Sequence, residues 1–141
     1  ATTGTTAWPT VTPRAGFVSS VAYDPQNPNL AYATYATFGG GPHVWKSTNG
    51  GAAWSPLDGT GAGKLPDVPV LSVAVHPFFS NRLFIGTDVG VFSSIDGGTT
   101  WNVENTGFAN VATERLIAHV FGGDAVLYAF THGRGAWRVP L

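Results

Sequence analysis

The 141-residue chain contains no cysteine. That excludes a disulfide framework, a thiolate metal centre and a cysteine nucleophile. Charge is scarce as well. Asp, Glu, Lys and Arg make up 11% of the residues, against about 25% in an ordinary soluble chain. With a net charge of −1, no field draws the chain to nucleic acid or to an anionic membrane, and neither is expected as a partner. No apolar run approaches the roughly 20 residues of a membrane helix, and no segment has helical periodicity. The opening ATTGTTAWPT lacks the charged start and apolar run of a signal peptide. The four histidines, His43, His76, His119 and His132, lack zinc-site spacing. The glycine-rich GTGAG at 59–63 lacks the Lys-Ser/Thr pair of a phosphate loop. No nucleophile elbow is present. Neither a cofactor nor a metal is expected.

The chain is rich in glycine (19) and proline (10), with abundant threonine, valine and aromatics. That mixture indicates an all-β fold with many tight turns. Internal repetition makes the expectation specific. VSSVAYDPQNPNLAYATY (18–35) aligns with VLSVAVHPFFSNRLFIGT (70–87) at a constant offset of 52 residues. HVWKSTNGGAAWSPL aligns with GVFSSIDGGTTWNVE at an offset of 47, the difference falling in the glycine-rich TFGGGPH. A third copy begins at RLIAHVFGGDAVLYAFTHGRGAWRVPL, where Tyr128 matches Phe84 and Trp137 matches Phe92.

A unit of this length, with four short β-patterns A to D, predicts a four-stranded propeller blade. The chain reads D–ABCD–ABCD–ABC, a single domain over 1–141 with blades near 14–57, 66–105 and 112–141. Residues 5–12, with Trp8 in the place of Trp54 and Trp101, are expected to form a closing or swapped outer strand. Three blades are too few for a ring of about 4–8. The chain is therefore expected to be either half of a six-bladed ring, closed as a homodimer, or the C-terminal part of a larger propeller.

The turns STNGGAAW (47–54) and SIDGGTTW (94–101) carry the most specific pattern. The second has Ser94, Asp96, Gly98, Thr100 and Trp101. The first has Ser47, Asn49, Gly51 and Trp54, with Ala53 in the threonine position. An Asp or Asn oxygen accepts hydrogen bonds from backbone amides ahead of it, glycine supplies positive φ, and tryptophan covers apolar surface. A calcium loop would need about 6–8 oxygens, and one carboxylate per turn is too few. These turns are therefore expected to be structural.

Over nearly its whole length the chain resembles the BNR/Asp-box β-propeller superfamily, through these two turns, DPQNPNLAYATY and THGRGAWRV. That superfamily includes sialidases, xyloglucanase-like glycosidases, sortilin-like receptors and photosystem assembly factors. The resemblance implies a propeller and a ligand face opposite the Asp-box turns, built from B–C loops and D–A connections, while the low charge and abundant threonine, glycine, asparagine and aromatics suit a secreted, extracellular or periplasmic protein. The expected binding residues there are Tyr35, Phe38, His43, Asp67, Asp88, Arg115, His132 and Arg134. Aromatics would cover apolar sugar faces and carboxylates would bond hydroxyls.

The same resemblance argues against sialidase activity, because the arginine triad and the Arg-Ile-Pro motif are absent. Asp67, Asp88, Glu104 and Glu114 supply carboxylates for a glycosidase pair, but none sits in a recognisable catalytic motif. No catalytic residue is assigned. The expectation is a non-catalytic propeller module binding carbohydrate or protein. The alternatives are a fragment or subunit of a xyloglucanase-like glycoside hydrolase, or a scaffold without a ligand.

Overall fold

A computed structural model describes residues 10–104 and 110–141. It is built from three antiparallel sheets, each a run of consecutive strands. The first is β1 (Val18–Tyr23), β2 (Ala31–Tyr35), β3 (Val44–Ser47) and β4 (Ser55–Pro56). The second is β5 (Val70–Val75), β6 (Leu83–Thr87), β7 (Gly90–Ser94) and β8 (Asn102–Glu104). The third has, among the described residues, β9 (Thr113–Phe121), β10 (Asp124–Thr131) and β11 (Gly135–Pro140). The expected closing strand over 5–12 falls mostly on residues outside this description, and residues 10–12 carry no strand.

The strands form where apolar and β-branched residues alternate, and the turns fall at glycine, proline and asparagine. The second sheet is covered on both sides. Val73, Val75, Leu83, Ile85 and Phe92 face the first sheet and pack with Tyr32, Val44 and Trp101. Ala74 and Val91 face the third sheet and pack with Leu116, Leu127 and Ala129. Burial pushes the Tyr32 phenol up to about 12, and the Asp24 charge adds to the shift.

The first strands of the sheets stand side by side, β1 beside β5 and β5 beside β9. Repeat-equivalent serines join them. The Val73 amide donates to Ser20 Oγ (3.4 Å), and the Leu116 amide donates to Ser72 Oγ (2.9 Å). Gly86 makes the second joint close, since a Cβ there would lie 2.5 Å from the Thr113 carbonyl oxygen.

The two serine turns are superimposable in their bonding. Ser47 Oγ donates to Asn49 Oδ1 (2.9 Å) and accepts from the Gly51 amide (2.8 Å). Ser94 Oγ donates to Asp96 Oδ1 (2.8 Å) and accepts from the Gly98 amide (2.9 Å). Asp96 also accepts from the Thr100 amide and hydroxyl, at 2.9 and 2.7 Å. The Thr100 hydroxyl, then its amide, then the Ser94 hydroxyl hold the Asp96 carboxyl down at about 2. Each carboxylate or amide oxygen is thus used up inside its own turn.

The tryptophans differ. Trp101 Nε1 donates to the Leu57 carbonyl of the preceding sheet (2.9 Å), whereas Trp54 Nε1 donates to Gly51 within its own turn (2.9 Å). Gly98 is required at this crossing, because it has φ +92° and a Cβ would lie 2.5 Å from Leu57 Cγ.

Candidate functional site

In each sheet the first strand begins with a β-bulge. The register skips one residue between Val18 and Ser20, between Val70 and Ser72, and between Thr113 and Arg115. The skipped residues are Ser19, Leu71 and Glu114. A bulge leaves its extra residue unpaired and re-aims the side chain. All three line one shallow hollow of about 420 Å³, with Ala36, Asp88 and His132, each the first residue after its sheet's second strand. Phe17 and Ala112 complete the rim. The hollow is therefore assembled from the same two positions of three successive sheets.

Its titratable groups come from the second and third sheets. His132 Nδ1 lies 2.8 Å from Glu114 Oε1, with both side chains exposed (79% and 60%). Such a pair contributes little to stability, but it fixes where the carboxylate points. Asp88 is exposed, and Phe17 presents its ring to solvent at 68% exposure. A flat apolar ring beside two carboxylates and an imidazole suits a polyhydroxylated ligand with an apolar face.

A second, larger hollow of about 720 Å³ lies between the first two sheets. Asp58 anchors it, accepting from the backbone amides of His43 and Val44 (both 2.8 Å). His43 is buried, and its Nε2 lies 2.8 Å from Asp67 Oδ1. Asp67 also accepts from the Gly39 amide (3.0 Å). The bond from His43, with help from the Gly39 amide, holds the exposed Asp67 carboxyl below the usual carboxylate range. Asp67 thus fastens the loop 36–43 to the segment 57–69. Its bonds serve that fastening, and no phenylalanine, tyrosine or tryptophan ring lines the hollow among the described residues.

Gly98 and Thr99 of the second serine turn also line this hollow. The second of these turns, expected on the far face, thus meets the loop 41–43 at this hollow. Strands in a sheet rotate by about 20–25° each, so the turn to the fourth strand swings onto the preceding blade. There the Thr60 amide donates to Thr99 and the Trp101 amide donates to Gly63.

The expected binding residues are distributed over several places. Asp88 and His132 come together at the three-sheet hollow, and His43 and Asp67 at the larger one. Phe38 is 72% exposed but lines neither hollow. Arg134 is exposed in the β10–β11 turn, and Arg115 on the outward face of β9. Tyr35 is corrected to a core residue. It is fully buried, its hydroxyl donates to the Arg14 carbonyl (3.2 Å), and the Arg14 guanidinium covers its ring. The tyrosine ends a strand whose five residues are all buried, so its ring cannot reach the rim. Phe17, Ser19 and Leu71 are lining residues that the sequence does not single out, whereas Glu114 stands among its candidate carboxylates. The repeat alignment contains them, but nothing in it marks a bulge.

Antiparallel sheets of three or four described strands, set side by side on their first strands, with the second bonded through its outer turn to the first, are propeller blades, and the chain belongs to the β-propeller superfamily. The proteins it is similar to include a xyloglucanase and GH74 enzymes, of which it spans only a small part. It is 34% identical over 106 residues to the xyloglucanase of Hypocrea jecorina (strain QM6a), covering 74% of this chain and 12% of that protein. Among solved structures, an ancestral GH74 enzyme matches 96% of the chain with a TM-score of 0.63 and 22% identity, over 20% of its own length. The Niastella koreensis GH74 enzyme matches 86% with a TM-score of 0.60 and 26% identity, over 21% of its length. YCF48 bound to D1 peptide matches 87% with a TM-score of 0.54 and 15% identity, over 40% of its length. No protein-family model matches. No helix among the described residues is long and apolar enough to cross a membrane.

Proposed function

We propose that the chain is a non-catalytic, extracellular propeller module that binds a β-glucan-type saccharide at the hollow shared by its three blades. The observation that carries this reading is the convergence of Phe17, Asp88, Glu114 and His132 on one rim. The Phe17 ring would cover a sugar face, while Asp88 and Glu114 would accept from hydroxyls. The similarity to a xyloglucanase supports a glucan as the ligand class.

Titration calorimetry with xyloglucan and cello-oligosaccharides tests it. Binding is expected, and Phe17→Ala is expected to weaken it about tenfold, the scale of one uncovered aromatic ring. No heat with any oligosaccharide, by a protein shown to be folded, would overturn it.

The similarity to GH74 enzymes supports a second reading, in which the chain is a piece or subunit of a glycoside hydrolase with Asp88 and Glu114 as its carboxylates. Release of reducing ends from xyloglucan, abolished by Asp88→Asn, would replace the binding reading with that one.

A further inference from the structure

We propose that the turn from His76 to Arg82 is an acid-opened latch, in which a proton on the His76 imidazole removes the acceptor that closes the turn between β5 and β6. The turn is internal to the chain and ties the first blade to the second. Gln26 Nε2 of the first blade donates to the Pro77 carbonyl (2.8 Å). Asn81 joins the same turn to the second serine turn. Its Nδ2 donates to the Ile95 carbonyl (2.7 Å), and its carbonyl accepts from the Gly97 amide (2.8 Å).

The equivalent turn of the first blade is closed by a carboxylate. Asp24 Oδ1 accepts from the Gln26 and Asn27 amides, at 2.7 and 3.2 Å. In the second blade His76 takes that place, and its Nδ1 accepts from the Phe78 amide (3.0 Å). Only a ring with no proton on Nδ1 can do so. The closed turn therefore selects the neutral tautomer that carries its proton on Nε2. Each turn leaves its second polar atom, Asp24 Oδ2 or His76 Nε2, buried without a partner. The histidine thus satisfies no more groups than the aspartate, and it accepts one amide instead of two. What it adds is a proton-binding site near neutral pH.

Protonation reverses the bond. An imidazolium has a donor at both nitrogens, so its Nδ1–H would point at the Phe78 N–H. Two donors facing each other repel, and the ring must leave its place. Its surroundings do not offset the charge. His76 is 1% exposed. The rings of Phe78 and Phe79 flank it, with centroids at 6.0 and 4.9 Å. Arg82, at the far end of the turn, adds a like charge and lies over the Phe79 ring at 4.9 Å. From the first blade, Pro77 meets the neutral Gln26 amide, and Asp24 is bonded to its own turn. Behind Asn81, the serine turn has Lys46 beside Gly97, and its Asp96 is bonded within that turn. Among the described residues, no carboxylate bonds the imidazole.

Burial, and then the Arg82 charge, hold His76 below the usual histidine range. Its folded value is therefore lower than the roughly 6.5 of an unfolded histidine. The closed turn is fully stable above that pH and weakens as pH falls below it. Opening separates Phe78 and Phe79 from the imidazole and releases the Gln26 bond that ties the two blades at this end.

Hydrogen exchange of the Phe78 amide, followed by NMR together with the His76 titration, tests the latch. The protection factor is expected to fall about tenfold per pH unit below about 6.5, before the Asp96 turn titrates. His76→Asp and His76→Asn each supply an acceptor that acid in this range does not remove. Both are expected to keep Phe78 protection level between about pH 7 and about pH 5. Constant protection over that range in the unaltered chain would overturn the proposal. Ring nitrogen shifts that place the neutral proton on Nδ1 would do so too. A parallel fall in both variants would also count against it, since the histidine would not be the cause. The inference is independent of the saccharide reading, because the turn lies outside that hollow.

Discussion

Ser94 and Asp96 show how a residue pattern that looks catalytic is spent on structure. The Ser94 hydroxyl is 1% exposed, bonded to Asp96 and to the Gly98 amide, so it has no freedom to attack a substrate. Ser94→Ala leaves a buried amide and one carboxylate oxygen short of partners. Chemical denaturation is expected to show a loss of about 1–3 kcal/mol, the cost of unpaired buried polar groups. Acid should act on the same turn. The folded Asp96 carboxyl sits at about 2, below the roughly 3.9 of an unfolded aspartate. Its contribution is therefore complete above pH 4 and is lost as pH falls from about 4 towards 2. Asp96→Asn, which copies Asn49 of the first turn, is expected to flatten that acid limb in a pH series of melting curves. An NMR titration placing the Asp96 carboxyl near 4 would contradict the argument.

At the scale of the strand, the close approaches between blades decide which side chains are tolerated. A Cβ on Gly86 would enter the Thr113 carbonyl of the neighbouring blade. Gly86→Ala must push β6 and β9 apart, and overpacking of this kind costs about 1–3 kcal/mol. Denaturant midpoints for Gly86→Ala and Gly122→Ala make the comparison internal. Gly122 meets nothing within 4 Å, but its φ of +63° disfavours alanine. The Gly86 variant should therefore fail through blade packing, with altered ring signals of β9 neighbours, and the Gly122 variant should not alter them. The same scale explains what could be read in advance. Strand order and turn chemistry follow from alternation and from glycine, asparagine and proline placement, which are local. The bulges at Ser19, Leu71 and Glu114 arise where three first strands lie side by side, and no local pattern encodes that. Tyr35 misled for a related reason. It lies next to a surface loop in the sequence, but its ring turns inward under Arg14.

At the scale of the whole molecule, the hollow is a property of the three blades together. It takes two positions from each of them, so a bound saccharide would stabilise all three by mass action. Melting curves with xyloglucan oligosaccharides are expected to rise in midpoint, and an unchanged midpoint at saturating ligand would contradict the binding reading.

The reach of Trp101 back to Leu57 sets the splice points of the molecule. The sequence repeat begins at a first strand, but the physical module is staggered by about one strand, because the second blade's outer turn is bolted to the end of the first blade. A blade excised at the repeat boundary would leave the Leu57 carbonyl without the indole that meets it and Gly98 without the leucine it accommodates. Anyone adding or removing a blade should therefore cut inside the fourth strand, so that residues 57–65 travel with the blade that follows them.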